Sequence, residues 1–537
     1  MIIQLSPKEK NSTPAVVRAL KKLKASGGGE LHFETGEYHF FKDGTHREFF
    51  AVSNNSACEK CIVFPLIGVE NLTVDGHGSV FVFHEIVFPF MVSNSHGVTL
   101  RNFTVDTGRS PLVELSIRDH TEEGFFIDID REKSPFFVEN GSLCWERECG
   151  ILHGELDRLT LHAIGRHQVQ YFATGNCKAD LSNLSVSLMR CDVSLTPTGV
   201  YARYREDSPS GCVFGEEKVT SILDGKREVD VICLDRSSDI EICNVTVARG
   251  IGMGVVGQLS RNITVDGFRT DIGYHAGAHQ TLTADSLHFI HCDGRLEVKN
   301  CVISDTMDDV INVHGMYTVL TEAKEHLICA AIQHHEQRFF NPYRTGDRLE
   351  IIDPASREIV AEFLVESADL LEGSGTDLAI KGHFTYGCER QEKGFWIENP
   401  DRMPNVHMHH NRFLNYPNIR LSGAGEILVE DNRFSNCKSG LVCMDLAKYW
   451  YESGRVKHLC YRNNILENCN QYGGKGFIRI GLDGVPREDA PKIHGRIEIV
   501  GNRFSGIRNC AIRADGVREL ILQDNVFDSD REDLLQI

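Results

Sequence analysis

The chain has 537 residues, with 57 Lys+Arg against 76 Asp+Glu, a formal net charge of −19, 41% hydrophobic and 25% charged residues. An acidic balance without a long Lys/Arg run excludes a phosphate-tracking nucleic-acid binder, and this apolar fraction supplies a large core, which excludes disorder as the default. No stretch approaches the roughly 18 consecutive apolar residues of a membrane-spanning helix, so no membrane partner is expected.

The amino terminus, Met1-Ile2-Ile3-Gln4-Leu5-Ser6-Pro7-Lys8, has no basic segment followed by an apolar one. A signal peptide is therefore not expected, and the location read from the sequence is cytoplasmic. The 18 cysteines run from Cys58 to Cys510 at no repeating spacing, many inside apolar strand patterns, and read as buried thiols. The Cys58-x-x-Cys61 pair has no second pair at zinc-ribbon spacing, so no metal is assigned there.

Val16, Val17, Leu20 and Leu23 recur at helical spacing between Pro14 and Ala25, with Ser12 or Thr13 placed to cap the start. After Gly27-Gly28-Gly29, alternation from Leu31 to Phe40 predicts a strand. Strands without further helices suggest a capped all-β stack.

A degenerate repeat follows, apolar-x-apolar-x-(Asn/Asp)-Asn-x-apolar or a close variant. It occurs at Val98-Thr-Leu100-Arg-Asn102-Phe103, Ile240-Glu-Ile242-Cys-Asn244-Val245 and Leu296-Glu-Val298-Lys-Asn300-Cys301. It returns at Val406 to Phe413, Ile427 to Phe434, Ile497 to Phe504 and Leu520 to Phe527. The interval from Asn411 to Asn432, 432 − 411 = 21 residues, is one coil of a parallel β-helix. Each coil buries its inward Val, Ile, Leu and Phe only by stacking. A recurring corner Asn tolerates left-handed backbone and can hydrogen-bond its counterpart in the next coil.

The period breaks at residues 112–229 and 316–385, where strands alternate without the corner Asn. The second break holds a barrel-like hairpin from Gly346 to Asp353 and Ile359 to Val365. The expected organisation is therefore an amino-terminal cap and first coils (1–111), a β-barrel-like insertion (112–229), central coils (230–315), a second barrel-like insertion (316–385) and carboxy-terminal coils (386–537).

The acidic run Asp308-Asp309-Val310-Ile311-Asn312-Val313-His314-Gly315 lies one coil beyond Thr283-Ala284-Asp285-Ser286-Leu287-His288-Phe289. A shift of 24 residues stacks Leu287 on Ile311 and Phe289 on Val313, and brings Asp285 beside Asp309 at the ~4.8 Å spacing of neighbouring strands. Three crowded carboxylates suit acid/base chemistry, with one carboxyl protonated and a pair sharing a water. A Ca²⁺ site and three solvated corner residues are the competing readings. Asp285 and Asp309 share the parity of the inward Leu287 and Ile311, so they reach a groove only if a corner intervenes.

The stretches from Gly252 to Gln258, Ala284 to Gly294, Met307 to Gly315, Gly394 to Asn399 and Tyr449 to Gly454 resemble glycoside hydrolase family 110, and the resemblance spans nearly the whole chain. It implies a right-handed parallel β-helix carrying β-barrel insertions. It also implies exo-acting removal of terminal α-1,3-linked galactose, as in blood-group B and linear α-galactosyl structures, with inversion and no cofactor or metal. Residue by residue it points to Asp285, Asp308 and Asp309. By analogy with the β-helical polygalacturonases, Asp308 is the general acid, while Asp285 and Asp309 position the water. Inversion sets an expected acid-to-base separation of about 6.5–9.5 Å. The charge of −19 makes polygalacturonan a poor substrate.

His288, Asn312 and His314 can hydrogen-bond sugar hydroxyls or form polar ladders along the solenoid. Trp450 with Glu452 can hold galactose by ring stacking and hydroxyl recognition, although a buried Trp fits equally. Gln258 enters on resemblance alone. The pairs His334-His335 and His409-His410 show no carboxylate or Cys partner at ligand spacing and read as surface or corner residues. The expected partner is a galactose-terminated oligosaccharide or glycoconjugate, and the sequence leaves a homo-oligomer open. Two further readings are a Ca²⁺-dependent β-helical polysaccharide lyase and a non-catalytic glycan-binding solenoid.

Overall fold

The computed structural model describes residues 1–110, 228–275, 280–387, 392–415, 418–423, 425–445, 449–469, 476–482, 484–507, 510–529 and 531–537, with discontinuous segments of 111–227. Its parallel strands stack into the faces of a β-helix. On the first face, Val98, Ile240, Ile263, Leu296, Val406, Ile427, Leu459, Ile497 and Leu520 occupy one register position in successive coils. The apolar position of the sequence repeat is thus a physical ladder, and the repeat had skipped the coils of Ile263 and Leu459. A second face runs through Phe88–Ser93, Ile232–Asp235, Val255–Gln258, Leu287–Ile290, Ile311–Met316, Ile419–Leu421, Leu441–Asp445 and Ile478–Leu482. Short strands such as Val302–Ser304, Arg412–Leu414 and Arg433–Ser435 form the third.

The corner divides between two adjacent residues the roles the sequence reading gave to one Asn. The left-handed backbone falls at Asn102, Asn244 and Asn300, and later at His410, Asp431, Asn463 and Asp524, with φ between 52° and 61°. The next residue carries the inter-coil hydrogen bonds. Asn411, Asn432, Asn464, Asn502 and Asn525 accept, through Oδ1, the backbone N–H of the preceding coil at 2.9–3.1 Å, from Cys301 through Asn502. The ladder begins at Asn411 because Phe103, Val245 and Cys301 fill that position in the earlier coils.

The helix Thr13–Ala25 closes the amino-terminal end, burying Val16, Ala19, Leu20 and Leu23 against the first coils. Ser12 occupies its N-cap position without a side-chain cap bond, and Asn11 Oδ1 instead accepts the Thr13 N–H at 3.0 Å. The twelve described cysteines are free thiols, seven of them buried.

The first insertion builds a seven-stranded antiparallel sheet that includes Leu112–Arg118, Gly124–Ile129 and Gly199–Tyr204. The second closes into a six-stranded barrel, and its closing strand is Trp396–Glu398, beyond position 385. The barrel is pinned to the solenoid by charge. Arg357, at a hairpin tip, stacks its guanidinium 4.0 Å above the Trp396 ring and lies 3.5 Å from the fully buried Asp445. Burial pushes Asp445 up to about 7 against the pull of Arg357. A folded value above the unfolded one means that ionising Asp445 costs stability as pH rises from about 4 through 7. Arg357→Ala is therefore expected to cost about 3 kcal/mol at pH 8 and clearly less at pH 5, where Asp445 takes up a proton instead, as read by urea unfolding at the two pH values.

Candidate active site

The register on the second face is the one the 24-residue shift predicts. Leu287 pairs with Ile311, His288 with Asn312, Phe289 with Val313 and Ile290 with His314. The parity problem is resolved at the corner. Val310 and Ile311 both enter the core, so the chain turns between them and Asp309 emerges outside although it shares parity with Ile311. The Ser286 N–H donates to the Asp309 carbonyl at 2.9 Å, which places Asp285 beside Asp309. Asp308 is held next to them, its Oδ1 accepting the Asp309 N–H at 3.0 Å.

Asp285, Asp308 and Asp309 each present a carboxylate oxygen within 4.8 Å of the others. This is closer than the expected 6.5–9.5 Å, and the reason is the fold. Two acids are consecutive in sequence and the third is one strand spacing away, which brings their carboxylates together. The same convergence fits a cation, but protein donors already take that place at two of the three acids. Arg420 Nε donates to Asp309 Oδ2 at 2.8 Å and Asn418 Nδ2 to Asp309 Oδ1 at 2.8 Å. His288 Nδ1 lies 2.8 Å from Asp285 Oδ2. Burial pushes the Asp309 carboxyl above its ordinary range, with Arg420 and Asn418 opposing and the neighbouring Asp308 and Glu452 adding to the rise.

Arg420 and Asn418 escaped the sequence reading. They belong to the coil after Ile311–Met316, where Ile419 pairs with Ile311 and Arg420 with Asn312, but the barrel separates the two strands in sequence. Aligning the repeat across the insertion, Ile419 and Leu421 on Ile311 and Val313, exposes the signal.

The softer candidates divide. His288, Asn312 and His314 are all buried beside the carboxylates and form a layer behind them. His314 Nε2 lies 3.1 Å from His288 Nε2 and 3.6 Å from Glu452 Oε1. Glu452 arrives on a short strand antiparallel to Gly315–Met316. Gly315 leaves room for this approach, since a Cβ would lie 2.2 Å from Ser453 Oγ and 2.1 Å from Met403 Cε, and both side chains would have to shift. Burial raises the Glu452 carboxyl, but His314, Arg420, His288 and a hydrogen bond from Asn312 outweigh it and hold Glu452 below the ordinary carboxylate range. Burial drives His314 down to about 4, so its imidazole is neutral at pH 7.

Gln258 and Trp450 are not brought to the carboxylates by any described contact. The Gln258 amide is spent within the protein, donating to Asp235 at 2.8 Å and Ala51 at 3.0 Å and accepting from Ser53 N–H at 2.9 Å. Trp450 packs on His334, ring centroids 4.6 Å apart, beside the exposed Tyr449. His334 is consequently buried, not a surface histidine. His409, read as lacking a carboxylate partner, lies 3.3 Å from Glu297 of the preceding coil, 112 residues upstream, a distance that local spacing cannot reveal. Glu297, His407 and His409 converge within 4.8 Å, and Lys299 already donates to Glu297 at 3.0 Å, which makes the group a polar ladder.

No protein-family model matches the chain. The curated α-1,3-galactosidase A of Shewanella woodyi is 25% identical over 499 residues, covering 92% of this chain and 79% of that protein. The α-1,3-galactosidase B of Phocaeicola vulgatus is 27% identical over 484 residues, 85% of this chain and 76% of that one. Among solved structures, the family 28 exopolygalacturonase of Yersinia enterocolitica aligns over all of this chain and 77% of its own, with a TM-score of 0.45 and 11% identity.

Proposed function

We propose that this chain, a relative of the α-1,3-galactosidases, is an exo-acting glycoside hydrolase that removes terminal α-1,3-linked galactose with inversion. The observation that carries the reading is the convergence of Asp285, Asp308 and Asp309 within 4.8 Å on one face of the solenoid, in a chain alignable with such enzymes over most of its length. In this reading Asp308 gives its proton to the departing glycosidic oxygen as the C1–O bond breaks. A water held between Asp285 and Asp309 loses a proton to them and attacks C1 from the opposite side. The ion pair with Arg420 supports this assignment, because it favours the anionic form of Asp309 against the rise that burial imposes.

Proton NMR of the first-formed sugar tests the stereochemistry, and β-galactose is the expected product. Convergence within 4.8 Å also suits a second reading, double displacement, since retaining pairs lie about 5–5.5 Å apart. Early α-galactose establishes that alternative and removes inversion. Branched blood-group B and linear α-1,3-galactosyl glycans are the substrates to assay, with galactose as the sole monosaccharide released. Release of longer fragments contradicts the exo mode.

A further inference from the structure

Behind Asp285 the side chains form a hydrogen-bonded series whose proton count is fixed by geometry. His314 Nδ1 lies 2.7 Å from the Gly315 carbonyl, which only accepts, so Nδ1 carries a proton. The Nε2 atoms of His314 and His288, 3.1 Å apart, need one proton between them, since two lone pairs facing each other repel. His288 Nδ1 and Asp285 Oδ2, 2.8 Å apart, need another. The series therefore requires three protons, whereas two neutral imidazoles and an ionised carboxylate supply two. One proton is in excess.

We propose that His288 holds this extra proton as an imidazolium at neutral pH, and that it is the positioning residue that keeps Asp285 ionised, with His314 as the acceptor that fixes its orientation. The inference rests on Asp285 belonging to the acid/base set. Three physical arguments select His288 over the other two groups. Imidazole is intrinsically more basic than a carboxylate. Of two equally buried rings, His288 has a carboxylate 2.8 Å from its Nδ1 whereas His314 Nδ1 faces a neutral carbonyl, so His314 takes the role of neutral acceptor. The groups facing the series are chiefly anionic: Asp308 and Asp309 from the corner and Glu452 from the antiparallel strand, while Arg420 of the next coil is engaged by Asp309. Two further neighbours are His291, buried and donating its backbone N–H to the His314 carbonyl at 3.2 Å, and Lys438, whose charge acts on Asp309 and Asp308 and not on the histidine pair.

The arrangement has a functional consequence. Asp285 with His288 and Asp309 with Arg420 become two charge-balanced pairs, both ionised and able to orient one water. Asp308, outside both pairs, is then the carboxyl left to carry the proton as general acid. This explains how three crowded carboxylates can split into one acid and two bases.

Nitrogen-15 NMR of the histidine-labelled full chain tests the proposal without requiring turnover. A scalar coupling across the Nε2–H···Nε2 bond singles out the His288/His314 pair among the 24 histidines. The expected result is one member with both nitrogens protonated at pH 7 and the other with a single protonated nitrogen. Two neutral imidazoles, or no cross-bond coupling, overturn it. In the second arm, His288→Gln is expected to lower kcat on the order of 10²-fold at neutral pH, leave KM within about threefold and move the ascending limb of the pH–rate profile upward. A lowered kcat with an unmoved profile assigns His288 a purely structural role and also overturns the proposal. If no galactoside is hydrolysed, the function reading fails while the NMR arm still decides the protonation of the series.

Discussion

Asp308→Asn is expected to lower kcat on α-1,3-galactosides by about 10⁴-fold with no change in the unfolding midpoint. The half-buried Asp308 side chain accepts the Asp309 N–H, a hydrogen bond that an Asn carbonyl can reproduce, so the loss falls on the chemistry. Asp285→Asn is expected to match it in rate. Asp309→Asn is expected to lower the rate comparably but also to cost ~1–2 kcal/mol of stability, because Arg420 then loses its carboxylate, with the cost discounted since the Arg420 side chain is 26% exposed. If the three act as one unit, the triple variant should be little slower than the slowest single one. Single-turnover rates together with urea unfolding of each variant check both halves. Near-wild-type turnover in all three would falsify the assignment of the active site.

The second large effect concerns folding and depends on one residue's distance from the corner. Asn464→Leu is expected to destabilise the chain by about 3–5 kcal/mol. Asn464 is fully buried and serves both neighbouring coils. Its Oδ1 accepts from the Asn432 N–H at 2.9 Å and Asn432 Nδ2 at 3.0 Å, while its Nδ2 donates to the Val429 carbonyl at 3.0 Å and to Asn502 Oδ1 at 3.1 Å. Leucine removes all four, and each buried group left unpartnered costs about 1–3 kcal/mol, partly relieved by local adjustment. Its neighbour Asn463 is exposed at φ 56°, a backbone state that glycine adopts freely, so Asn463→Gly is expected to stay within about 0.5 kcal/mol of the native chain. Chemical denaturation of the two variants side by side separates the roles, and equal effects would show that the ladder contributes nothing specific.

The repeat and the site were legible in the sequence for the same reason. In a parallel stack, register is set by apolar residues that must face one core, so laying Leu287 and Phe289 on Ile311 and Val313 was enough to bring Asp285 to Asp309. Contacts between coils far apart in sequence leave no such mark. Arg420 stacks next to Asn312 although the whole barrel intervenes, and Glu297 meets His409 across 112 residues. Local spacing carries no trace of either contact. Trp450 misled because an aromatic residue two positions from Glu452 suggested a shared sugar site, whereas its ring packs on His334 from the barrel insertion.

What the sequence determined by itself was the solenoid, its interruptions and the meeting of three aspartates, since periodic burial leaves a period that can be counted. Only the tertiary structure decided which donors face those acids and how near the carboxylates stand. These depend on the corner between Val310 and Ile311 and on side chains returned from distant coils, and hydrogen-bond geometry, unlike hydrophobic burial, has no linear period to read.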